Sequence, residues 1–147
     1  MEINGLPAHA LLVHLVVVLL PLTSLAAMVV SVWPAAQRKL TFLVPLGAVV
    51  GLVAVPVTTR AGTDLASRLG DPAFLDNHRS LGSMVLPWAI ALAVTTVGQW
   101  LLLRGEPPGR RLRMVVSALV VVSAVGTTVI VALAGDAGAQ AVWGNRF

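Results

Sequence analysis

Residues 8–33 read AHALLVHLVVVLLPLTSLAAMVVSVW, and the charge-free stretch around them runs from 3 to 37. A helix crosses the hydrocarbon core of a bilayer, about 30 Å thick, with roughly 20 mostly apolar residues. This run is long enough to span. It is also too long for the roughly 7–15-residue apolar segment of a cleavable leader, which carries a basic start. Here the start is Met1-Glu2-Ile3-Asn4, with an acid and no base. A retained transmembrane helix is expected.

Outward from this run, three more segments meet the same criterion, at about 40–59, 80–103 and 112–134, none with a charge in its interior. Composition agrees: 57% of the 147 residues are hydrophobic and 11% charged, with a mean hydropathy of +0.90, where a soluble domain carries about 25% charged residues. So few polar side chains cannot cover a water-soluble surface. The expected fold class is all-α, a single transmembrane domain over 1–147 formed by an integral membrane four-helix bundle. No internal repeat is apparent.

The net charge of +4 does not indicate nucleic acid once the bases are located. The short connections at 34–39 and 104–113 hold Arg38, Lys39, Arg104, Arg110, Arg111 and Arg113 against one acid, Glu106. The longer connection at 60–79 shares a side with both termini, and that side holds four bases and five acids. The two sides carry +5 and −1. By the positive-inside rule the basic side faces the cytoplasm. Both termini are then expected on the extracytoplasmic side of a bacterial cytoplasmic membrane. Within the middle connection, Asp71-Pro72 reads as a helix N-cap followed by proline at the first helical position, so the third helix is expected to begin near Pro72.

Cysteine is absent, which excludes disulfides, Cys-ligated zinc or iron–sulfur centres and a thiol nucleophile. No P-loop, G-x-S-x-G, H-E-x-x-H or dinucleotide fingerprint occurs. The protein is not expected to be a stand-alone enzyme. Small residues concentrate in the second span, where Gly47 and Gly51 form G-x-x-x-G, and in the fourth, with Ser117, Ser123, Ala124, Gly126, Thr127 and Thr128. Membrane helices associate where small side chains let backbones approach. These two spans are the candidates for a tight contact, inside the chain or between copies in a homo-oligomer.

The topology sorts the polar residues. His9 and His14 fall at the outer end of the first span, His78 at the approach to the third, and Asp136 and Gln140 after the fourth. His14 lies about 7.5 Å deeper than His9 and about 140° away around the helix. An ionisable side chain at that depth marks a functional site by default. Three readings are open: a metal or haem site, since neutral imidazole is the commonest metal ligand; a proton or substrate relay from His14 to Asp136; and a purely structural hydrogen bond. The expected ligand pair is His14 with His78, at comparable depth on different helices. It would hold haem b, or a transition metal with His9 or Asp136 completing the shell, and His9 is expected to point elsewhere.

The opening Gly5-Leu6-Pro7-Ala8-His9-Ala10-Leu11-Leu12-Val13-His14 resembles the start of the bacterial membrane family called domain of unknown function 2231, which typically opens G-x-P-x-H-P-x-x-V-H. His78-Arg79-Ser80-Leu81-Gly82 and Gly135-Asp136-Ala137-Gly138 resemble that family's later features, so the likeness covers nearly the whole chain. Ala10 stands where proline is usual and Leu15 where an aromatic is common. The resemblance implies four membrane helices. Some relatives look fused to Rieske-type iron–sulfur domains, which implies electron transfer and a redox partner or other membrane subunit besides the lipid bilayer. The alternative is a non-catalytic structural or partner-binding subunit.

Overall fold

The structure, a computed structural model, describes residues 2–3, 6–40, 42–106 and 108–144. Met1, Asn4 and Gly5 of the opening and Pro107 of the basic connection lie outside them. A two-residue antiparallel ladder pairs β1 (Glu2–Ile3) with β2 (Leu6–Pro7). The main elements after it are all helices: α1 (Ala8–Val32), α2 (Pro34–Leu40), α3 (Leu43–Arg68), α4 (Asp76–Arg104) and α5 (Arg110–Trp143). Among the described residues, four helical segments are long and apolar enough to cross a membrane. The protein is an all-α four-helix membrane protein.

Two helices clearly outrun the apolar segments seen in the sequence. α3 continues from the expected 59 to Arg68, and α5 from 134 to Trp143. In α3 the extension is amphipathic. Thr58, Ala61 and Ala66 remain buried, while Arg60, Asp64 and Arg68 follow one another at four-residue spacing on the other face. Such i,i+4 neighbours stack on one helix surface, and Arg68 Nε pairs with Asp64 at 3.3 Å. The charges that ended the apolar run therefore decorate a helix that is still packed.

α3 stops in a Schellman turn: Gly70 N–H donates to Ser67 O at 3.2 Å and Asp71 N–H to Ala66 O at 3.0 Å. Gly70 sits at φ +80 and Asp71 at φ +50, the left-handed conformation this cap requires. Asp71 is thus part of a C-cap and not the expected N-cap. Pro72 is extended and leads a single 3₁₀ turn, Ala73–Leu75, before α4 begins at Asp76. Arg79 in the first turns of α4 donates to the Asp71 carboxylate and closes this corner.

The four long helices form a square. α1 packs on α3 and α5, and α4 packs on α3 and α5, so α1 and α4 face each other across one diagonal. The buried positions follow alternating steps of three and four: Val120, Ser123, Thr127, Ile130, Ala134 and Ala137 in α5, and Val85, Ala89, Leu92, Thr96 and Gln99 in α4. This is the seam of a coiled-coil-like bundle. Gly47 and Gly51 admit side chains of α1. A Cβ at Gly47 would stand 2.6 Å from Thr23 Oγ1, and one at Gly51 would collide with Leu20. Within the chain, the glycine pair of the second span therefore faces α1 and not the fourth span. Gly126 of α5 admits the Trp88 ring of α4. Near the basic end the diagonal is bridged directly, by Gln99 Nε2 donating to Ser31 Oγ at 3.0 Å.

Candidate functional site

At the opposite end the diagonal is bridged again, by two histidines. His9 is the second residue of α1, and its Nδ1 lies 3.0 Å from the backbone carbonyl of Thr58 in α3. His78 is the third residue of α4, and its Nδ1 lies 2.9 Å from the carbonyl of Ala134 in α5. A carbonyl oxygen only accepts, so each Nδ1 carries the proton and donates it. Among the described residues no hydrogen bond reaches either Nε2. The two rings meet edge to face, with centroids 6.1 Å apart and planes at 78°.

The anchoring is the same on both sides. His9 bonds the carbonyl of Thr58 and lies over Gly62, four residues further along α3; a Cβ there would stand 2.8 Å from His9 Cε1. His78 bonds the carbonyl of Ala134 and lies over Gly138, four residues further along α5; a Cβ there would stand 3.1 Å from His78 Cε1. Ala61-Gly62 and Ala137-Gly138 are the same dipeptide in the same place. Deeper in the bundle, Leu20 on Gly51 is matched by Trp88 on Gly126. The α1–α3 and α4–α5 hairpins are thus built alike, the pattern of parallel repeats related by an axis along the bundle.

His14 is not in this pair. It is exposed, with Nδ1 against the carbonyl of Ala10 in its own helix. The expected pairing of His14 with His78 is therefore corrected: His9 faces His78. The 140° between His9 and His14 allows only one of them to face the bundle axis. Depth favoured His14 only while the bundle was taken to end with the apolar runs. With α3 continuing outward beside it, His9 is part-buried. Asp136 is exposed and accepts a hydrogen bond from Gln140 Nε2 at 2.7 Å. Among the described residues no group of three or more His, Cys, Asp or Glu side chains converges to hold a metal ion.

The sequence matches the profile of the family described as "Predicted membrane protein (DUF2231)" over residues 5–147. The chain belongs to this family. No curated protein and no solved structure matches it. For this DUF2231 protein the family description carries no activity, so the functional reading rests on the residues themselves. Reading the sequence missed the acceptors, Thr58 O and Ala134 O, because backbone groups leave no trace in composition. It also missed Gly62 and Gly138 as ring platforms. The repeated Ala-Gly dipeptide was the signal that could have found them.

Proposed function

We propose that this protein is a redox module of the bacterial cytoplasmic membrane, in which His9 and His78 ligate a transition-metal centre at the extracytoplasmic end of the bundle. The observation that carries the reading is the matched anchoring of the two imidazoles. A metal-ligating histidine donates its second ring N–H to a carbonyl or carboxylate, which sets its tautomer and orientation. Both rings do this through Nδ1. With Nδ1 donating to a carbonyl, Nε2 is the nitrogen of each ring left with no hydrogen-bond partner among the described residues. With nitrogen–metal bonds of about 2.0–2.1 Å, two imidazoles sharing one metal have centroids roughly 5–6.5 Å apart. The observed 6.1 Å falls in this range.

Haem iron and a single d-block ion both take imidazole ligands, which His9 and His78 would supply. Haem iron, or a redox-active ion such as copper or iron, would supply one-electron transfer when bound. A single ion would take its remaining ligands from water or from a partner, since Asp136 is turned to the surface. The excess of bases at the other end supports the orientation. It leaves the histidine end open to a redox partner or another membrane subunit on the outer face.

The test is an absorption spectrum of the protein purified from its membrane, taken oxidised and reduced, together with metal analysis. A haem Soret band, or about one metal ion per chain without one, is expected. It is lost in His9→Ala and in His78→Ala, and kept in His14→Ala. Parent protein free of both, before and after reconstitution with haem and with divalent metals, overturns the reading. One observation favours a second reading: both Nδ1–H groups tie neighbouring helices together, α1 to α3 and α4 to α5. If clasping is their whole role, the two alanine variants lose stability and there is no metal to lose.

A further inference from the structure

The basic end carries a groove that the bundle does not need. α1 ends at Val32, Pro34 has no N–H with which to continue it, and α2 follows over Pro34–Leu40. Gln37 sets the angle, its Nε2 donating to Val30 O at 2.9 Å while Arg113 donates to its Oε1 at 3.2 Å. Between the last turn of α1 and α2 lies a groove of about 300 Å³ lined by Val29, Trp33, Ala35, Ala36, Lys39 and Leu40. Its floor is apolar because the small Ala35 and Ala36 leave space beside Val29. Its only charged lining residue is the exposed Lys39. Arg38 adjoins it, and Arg104, Arg110, Arg111 and Arg113 lie at the same end. Among the described residues none of these six bases forms an ion pair.

An apolar slot beside a tryptophan, with the exposed Lys39 on its lining and five arginines at the same end of the bundle, matches one occupant. We infer that the α1–α2 groove is a binding site for a single anionic phospholipid, with an acyl chain against Val29, Ala35, Ala36 and Leu40 and the headgroup phosphate on Lys39. Trp33, 60% exposed, sits where aromatic side chains take the headgroup level. Basic side chains at this level attract anionic lipid, and about 1 kcal/mol per base corresponds to about fivefold in binding.

The experiment is native mass spectrometry of the detergent-solubilised protein titrated with dioleoylphosphatidylglycerol, dioleoylphosphatidylcholine or inorganic phosphate. The parent retains one phosphatidylglycerol in clear preference to phosphatidylcholine. Lys39→Gln weakens that preference about fivefold, and Ala35→Trp, which fills the slot, abolishes retention of either lipid. Arg60→Gln, at the histidine end, behaves as the parent. Equal retention of the two lipids, binding reproduced by inorganic phosphate alone, or unchanged retention in Lys39→Gln overturns the inference. Lys39→Gln changes one exposed side chain, so it decides the matter even if Ala35→Trp does not fold.

Discussion

Two histidines five residues apart on one helix meet different fates, and the cause is rotation more than depth. His9 reaches the carbonyl of Thr58 across a helix interface, while His14 returns to the carbonyl of Ala10 on its own. The sequence showed that the two point apart, and it showed that His78 arrives from another helix at the same end. It could not show which of the pair faces inward, because that depends on how far α3 and α5 continue past their apolar runs. Gly70 is a second position where one residue decides local structure. At φ +80 it holds a conformation that costs an L side chain about 1–2 kcal/mol. Gly70→Ala is expected to lower the melting temperature in detergent by about 2–4 °C per kcal/mol, although nothing lies within 4 Å of the added methyl. A melting temperature equal to the parent's would mean that the Schellman turn is not required.

Among the elements, the existence and order of the four long helices were legible from hydropathy; their ends, and the short α2 in what reads as a connection, were not. The runs at 8–33 and 80–103 nearly coincide with α1 and α4, because the apolar run there is the helix. In α3 and α5 it is only the middle of one. Arg60, Asp64 and Arg68 stop a hydropathy count, yet their four-residue spacing places them on one face while Thr58, Ala61 and Ala66 stay buried on another. The glycines follow the same division between pattern and partner. G-x-x-x-G at Gly47 and Gly51 announced close packing but not that α1 supplies the knobs. Gly51→Leu is expected to cost about 1–3 kcal/mol, the usual penalty for overpacking, since even a Cβ meets Leu20. Gly98→Leu, with nothing within 4 Å of its Cβ, is expected to melt with the parent. The comparison is read from paired thermal melts in one detergent, and equal loss in both variants would remove the α1–α3 contact as the cause.

The whole molecule is a square bundle with its diagonal helices joined at both ends, by Ser31 and Gln99 at the basic end and by His9 and His78 at the other. The basic connections carry +5 against −1 on the side of the termini. A C-terminal alkaline phosphatase fusion, active only outside the cytoplasm, is therefore expected to be active, and a β-galactosidase fusion at the same point inactive. The opposite pair of results would turn the histidine end inward. The claim on which the account most depends is that both histidines are held with Nε2 free and able to share a metal. With three histidines in the chain, ¹⁵N-histidine labelling makes this directly readable by nuclear magnetic resonance in detergent micelles. The metal-free protein is expected to show His9 and His78 protonated at Nδ1 and bare at Nε2. On titration with Zn²⁺ or with reduced haem, which is diamagnetic with two imidazole ligands, the Nε2 signals of both should shift together while His14 stays in place. Protons on Nε2 of His9 and His78, or no response from either ring to both titrants, would contradict the account.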